Sequence, residues 1–335
     1  MTENMQAEMF DAGGGGTSPT PRATTAKRKK KRDISKIVFV VSLMVIPVIS
    51  FLIFTVYVNF NTIVMSFQYR NTKGDYVFNE NPLKNYIDFF RNDVLNPHSQ
   101  FPAMVGNSLM YFVVNDFVIV PLSVVLCYFL YKKVFLHQVF RVVFYLPCIV
   151  SMVVMVMVYN FMFDSSFGIV DPLLTKLGLG HLIPKWGWLG TRDTANSLIV
   201  GYCIWSGLGG NLILLGSAMG RIPEELVEAG KIDGIGFFRE LWSITIPLIG
   251  TTLATLYMMG TTVIFTFFMQ VKLISEGGPN GKTFTIMLYI VEVVKADTRD
   301  LSNAATVGMI VAAIGTPLVL LTRWAVDKIF PAYEY

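Results

Sequence analysis

Long apolar runs recur along the chain, at about 37–60, 103–130, 139–162, 196–219, 246–272 and 302–325. Each is long enough to cross about 30 Å of hydrocarbon as a helix. The runs show no period-two alternation of the kind that barrel strands need, so helices are predicted. A shorter run, "FTIMLYIVEVV" at 284–294, is apolar but cannot span, and it carries Glu292. It predicts a short helix lying at the membrane interface or tucked into the bundle. Residues 1–33, with "GGGG" and "KRKKKR", have little apolar surface to bury and predict a disordered basic tail. A secretory leader is the rival reading of the first apolar run. Ile37–Val58 is about twice as long as a signal core and no A-x-A-like site follows, so a retained transmembrane helix is expected.

Composition agrees with a bilayer as solvent. Of 335 residues, 53% are hydrophobic and 15% charged, against about 25% charged in a typical soluble domain. The fold class expected is therefore an all-α polytopic membrane protein with about six transmembrane helices. Cys127, Cys148 and Cys203 all lie in apolar runs and read as small packing residues. Neither CxxC nor HExxH occurs, so no metal-dependent reaction is suggested.

Charge sets the orientation. Arg22, Lys27, Arg28, Lys29, Lys30, Lys31, Arg32 and Lys36 precede the first helix, which predicts a cytoplasmic N-terminus. Alternation then puts 131–141, 220–245 and the C-terminus on the same side, with Lys132, Lys133 and Arg141 in the first of these loops. Loops 68–102, 163–195 and 273–300 fall outside, with nearly balanced charge. Trp186, Trp188, Trp242 and Trp324 sit near predicted helix ends, as interfacial anchors do. This topology also disposes of a partial nucleotide motif. "GPNGKT" at 278–283 ends like a phosphate-binding loop, but Glu276 stands where the first glycine belongs and Pro279 has no N–H to offer. An outer loop is in any case away from ATP.

The stretch with most organisation is 220–247, "GRIPEELVEAGKIDGIGFFRELWSITIP". Pro223 suits a first helical position and Glu224 and Glu225 suit the positive end of a helix dipole. Leu226, Val227 and Ile232 predict an apolar side, Glu228 and Asp233 a polar one. Gly230 permits close approach and Gly234 a turn. Two readings fit this shape: a hairpin whose tip enters a partner's groove, or a cap on the bundle.

Its letters resemble the EAA motif of permease subunits of ATP-binding-cassette importers, EAA-x3-G-x9-I-x-L-P. Glu228-Ala229-Gly230, then Gly234, Ile244, Ile246 and Pro247, fall at that spacing, with Gly230 for alanine and Ile246 for leucine. "KNYIDFF" (84–90), "NSL" (107–109), "FRVVFYLPCIVS" (140–151), "FGIVDPLL" (167–174), "WLG" (188–190) and "ISEGGPNGKT" (274–283) are similar to the maltose-transporter-like sugar-permease branch. The resemblance covers roughly 34–326. It implies the type I importer permease fold, a transmembrane domain over 34–330 and a sugar or oligosaccharide as cargo. The partners implied are a second homologous permease, two ATPase subunits that carry ATP and Mg, and an extracytoplasmic sugar-binding protein. The location implied is a bacterial cytoplasmic membrane, with lipid contact and no nucleic acid. Glu225, Glu228, Ala229, Gly230, Asp233 and Gly234 would form the ATPase-docking segment.

Polar groups inside the spans are costly and mark candidate points on a solute path: Asn107, Asn115, Asp116, Asn160, Asn211 and Gln270. For each, an interhelical hydrogen bond that fixes packing is the alternative. The chain itself is not expected to be an enzyme, since His98, His137 and His181 lie in loops with no nucleophile–base pairing evident. A secondary transporter or channel would share the helices and buried polar groups, but not an organised inner loop.

Overall fold

The computed structural model describes residues 34–295 and 301–329; the tail expected at 1–33 lies outside them. The chain divides into two units at Tyr57 and Val58. In the first, helix Ile34–Ser50 runs on as a wider π-helical stretch, Phe51–Tyr57. Side chains 38–57 are all exposed, a pattern suited to hydrocarbon, where an apolar surface carries no penalty.

Length and composition qualify four helices to cross a membrane: Val38–Ser66, Phe101–Tyr131, Arg192–Met219 and Leu301–Ile329. The other two predicted spans are bent pairs, and together these make up to six. His137–Ile149 and Met152–Met162 meet at 110°, with Val150 and Ser151 extended between them. Phe237–Leu248 and Gly250–Thr266 meet at 77°.

The run at 246–272 is therefore not one straight helix. It breaks again at Phe267 and Phe268 before the short helix Met269–Ser275. Backbone freed by a break at this depth needs a partner. Thr285 supplies one, its hydroxyl donating to the Phe267 carbonyl at 2.6 Å.

Two prolines explain local widening of the helices. Proline lacks an N–H and its ring crowds the carbonyl four residues back. Just before Pro121 and Pro247 the chain opens into π turns at Asn115–Ile119 and Leu241–Thr245, the usual form of a one-residue helix defect.

The short apolar run becomes helix Ile286–Lys295, tucked into the bundle through buried Ile286 and Leu288. Between the first span and the next lies a small hairpin, Gln68–Arg70 paired antiparallel with Tyr76–Phe78, that apolar periodicity did not announce. One buried core, including Tyr128, Leu212, Leu215, Met219, Leu241 and Ile249, underlies the 220–247 segment. A second, with Tyr111, Tyr159, Ile199, Tyr202, Val271 and Leu288, lies under the 276–285 loop.

Candidate functional site

Residues Glu224–Ile232 form a helix, entered through Pro223, with Glu224 and Glu225 in its first turn and Lys231 in its last. Its end is closed by backbone geometry. The Ile235 N–H reaches the Gly230 carbonyl at 2.9 Å and the Gly234 N–H reaches the Lys231 carbonyl at 3.1 Å. This pair of bonds needs a left-handed residue at Gly234, whose φ is +70°. Gly230 is buried, and a methyl there would come within 2.8 Å of Ile244 Cδ1 and 3.6 Å of Ile235 Cδ1. The closeness expected of Gly230 is real, and it joins two points of the motif, Gly230 and Ile244.

The apolar side differs from the one predicted. Val227 packs on the buried core, one turn from Gly230. Leu226 and Ile232 instead face outward, at 40% and 86% exposure. Ile232 stands five residues from Val227, about 140° around a helix of 3.6 residues per turn, so one stripe cannot hold both. The outward face thus combines Glu225, Glu228 and Ala229 with Leu226 and Ile232, all exposed, and Asp233 beside them is exposed too. Such a mixed surface, projecting from a well-packed base, can enter a groove that offers both apolar and basic contacts.

The candidate path residues do not converge on one place. Asn107 is 1% exposed. Its amide donates to the Lys282 and Phe284 carbonyls at 2.8 and 2.9 Å, and its oxygen accepts from Arg192 at 3.0 Å and Asn196 at 3.4 Å. It clasps the 276–285 loop. Thr283, the last letter of the partial nucleotide motif, is fully buried and donates to the Gly278 carbonyl at 2.6 Å.

Asn115 and Asp116 occupy the π turn, with the Asn115 amide donating to Asp116 Oδ1 at 3.0 Å. Asp116 is buried against Gly260 of the Gly250–Thr266 helix. Asn211 donates to the Ser123 hydroxyl at 3.2 Å, and the Asn160 amide to the Leu273 carbonyl at 3.2 Å. Gln270 is half-buried in the short helix beyond the Phe267–Phe268 break. Along the Phe101–Tyr131 helix, Asn107 and Ser123 are separated by about 24 Å at 1.5 Å per residue. Each of these groups with a printed bond has its own local partner, and they are spread along the helices rather than gathered at one site. Asn115 and Asp116 are paired at a helix defect near the middle of the Phe101–Tyr131 helix.

Sequence reasoning missed Arg192, Asn196, Ser108 and Thr285, which with Asn107 anchor the loop; Ser108 accepts the Ile286 N–H at 3.1 Å. The "NSL" string was the available signal. Trp186 is 80% exposed, as an anchor would be. Trp188 is turned inward, donating to Asp171 at 2.9 Å and packing on Phe163.

Residues 119–334 match the model of a family described as the binding-protein-dependent transport system inner membrane component. The chain is 27% identical over 283 residues to the probable ABC transporter permease protein YurN of Bacillus subtilis, covering 84% of this chain and 91% of that one. It is 30% identical over 176 residues to the diacetylchitobiose uptake system permease protein NgcF of Streptomyces coelicolor, covering 52% and 49% respectively. Its fold is similar to that of a chain in the crystal structure of a bacterial alginate ABC transporter in complex with an alginate pentasaccharide-bound periplasmic protein. The TM-score is 0.72 at 20% identity, over 89% of this chain and 98% of that one.

Proposed function

The chain belongs to the family of binding-protein-dependent transport system inner membrane components, and from that premise we propose how it works. It is a membrane-embedded subunit of an ATP-driven importer, and its cargo is a sugar or oligosaccharide handed over by an external binding protein. The docking hairpin at 220–247 seats a separate ATPase subunit on the cytoplasmic face. The chain hydrolyses nothing itself; ATP and Mg reside on the partners.

The observation that carries this reading is the hairpin's outward face. Ile232 at 86% exposure and Leu226 at 40% are left open at the tip of a helix whose own end is closed by Gly234. Leu226, Val227 and Ile232 do not serve one apolar stripe, so the surface is not accounted for by capping the bundle. Lys132, Lys133, Arg141, Arg221 and Arg239 lie in or beside the same two connections, which supports a cytoplasmic position for that end and for both termini.

A second, homologous permease is supported by an apolar groove of about 690 Å³ whose floor includes Ala304, Gly308, Ala312 and Gly315. Small residues let a neighbouring helix approach closely in lipid. Sugar as cargo rests on the diacetylchitobiose and alginate systems among the proteins this chain is similar to.

The test is affinity purification of the tagged chain from its native membrane in mild detergent. An ATPase subunit and a second permease are expected to co-purify, and ATP turnover to rise when a loaded binding protein is added. Gly234→Pro, which cannot adopt φ +70°, is expected to leave the chain folded while ATP turnover no longer drives uptake. Uptake driven by an ion gradient with no ATPase bound would instead identify a secondary transporter.

A further inference from the structure

The end of the Phe101–Tyr131 helix is fastened to the base of the docking hairpin by five side chains. Lys132, which caps that helix, forms an ion pair with Glu240. Glu240 lies just past the hairpin's turn, in Phe237–Glu240, and is 5% exposed. Tyr128 is fully buried and donates its hydroxyl to the Phe237 carbonyl at 3.0 Å. The Phe237 ring packs 4.8 Å from Tyr128 and 5.4 Å from Phe129. Lys132 Nζ also lies 5.5 Å from the Tyr128 ring and 5.9 Å from that of Tyr131.

The contacts to Phe237 and Glu240 join segments remote in sequence, with 108 residues between Lys132 and Glu240. A fully exposed ion pair would add little, but the Glu240 side chain is 7% exposed and its charge requires a partner, which Lys132, at 20% exposure, supplies. The same helix carries, sixteen residues earlier, Asp116 against Gly260.

We propose that Lys132 and Glu240 are positioning residues that form a mechanical joint. Through it, displacement of the docking hairpin is passed to the Phe101–Tyr131 helix, and along that helix to the Asn115–Asp116 turn. The proposal rests on the hairpin being an ATPase seat. It adds the route by which the motion leaves the seat, which is not the covalent path through Arg192–Met219 or Gly250–Thr266. A rigid helix moves as a unit over the roughly 24 Å between Lys132 and Asp116. Its π turn at Asn115–Ile119 is where such a push can be taken up as a change of register.

The experiment uses the assembled transporter in nanodiscs, with Cys127, Cys148 and Cys203 replaced by serine and Asn115→Cys as the reporter. The readout is the rate at which that cysteine reacts with N-ethylmaleimide, with and without ATP and vanadate. In the parent, trapping is expected to change this rate at least fivefold, and a rate that does not move in the parent overturns the proposal. Lys132→Met and Glu240→Gln are expected to keep the ATPase subunit bound and turning over ATP, yet to abolish the change. The charge exchange Lys132→Glu with Glu240→Lys is expected to restore it. A change that survives in both single variants overturns the proposal. So does a loss that merely follows loss of the bound ATPase subunit, or an exchange variant no better than the single ones.

A second measurement needs no ATPase, so it separates failure of the joint from failure of the functional reading. In the chain alone, each single variant should speed hydrogen exchange both at 224–240 and at Asn115–Ile119. Acceleration confined to 224–240 counts against the joint.

Discussion

Gly260 and Gly308 are both helical, yet alanine should act oppositely at the two sites. A Cβ at Gly260 would lie 1.6 Å from Asp116 Oδ1, and one at Gly308 would meet nothing within 4 Å. Gly260→Ala should push two helices apart and cost about 1–3 kcal/mol. Gly308→Ala should stabilise by about 0.5–1 kcal/mol through helix propensity. Thermal unfolding of the purified chain in detergent distinguishes them. Asn107→Leu should leave the Lys282 and Phe284 carbonyls and Arg192 without their bonds. Protease cleavage within 276–285 should then quicken at least tenfold, with the docking helix unaffected. At Gly234, alanine must take a left-handed backbone at a cost of about 1–2 kcal/mol. Hydrogen exchange across 224–235 should rise accordingly, and less for Gly234→Asn, because asparagine tolerates that region better. The roles of Gly230 and Gly234 were readable in the sequence because a helix end is local chemistry. The bonds of Asn107 were not: its partners lie 85 and more residues away.

Apolar run length located every long helix and missed how two of the runs bend. The 110° turn at Val150–Ser151 and the second break at Phe267–Phe268 occur inside unbroken hydrophobic stretches. Hydropathy measures affinity for lipid and is blind to whether an extended residue finds a partner for its carbonyl. Pro121 and Pro247 were visible, and each sits beside a π turn. The Phe267 break has no proline; it depends on Thr285 from another segment. Thr285→Val should therefore leave that carbonyl buried and unbonded, destabilising by about 1–3 kcal/mol. A chemical-unfolding midpoint lowered by less than the Gly308→Ala difference would argue that the break satisfies itself. The Glu224–Ile232 helix shows the complementary error. The sequence predicts a short amphipathic helix with Leu226, Val227 and Ile232 on one apolar side, whereas in the structure Val227 packs on the core and Ile232 points outward. A helix packed on the bundle through Val227 and open at Ile232 cannot be sorted by a single stripe.

Within the second unit, two buried cores serve the two ends of the bundle. One underlies the 220–247 segment and the other the loop clasped by Asn107. The Phe101–Tyr131 helix contributes to both, through Tyr128 at one end and Tyr111 towards the other, and holds Asn115 and Asp116 between them. That arrangement suits a subunit worked from one side to admit solute from the other. Family membership was legible from the spacing of Glu228, Gly234, Ile244 and Pro247, because those residues lie within one short segment of sequence. Cargo is less legible, because the polar groups are spread through the depth of the bundle and a second subunit is expected to complete the path. The central claim is that the 224–232 tip meets an ATPase on the cytoplasmic side. Ile232→Cys, in a chain lacking its native cysteines, tests it most directly. In intact cells it should resist a membrane-impermeant maleimide, and in inverted vesicles it should form a cross-link to a co-purifying ATPase subunit. Labelling from outside intact cells, with no such cross-link from inside, would contradict the account.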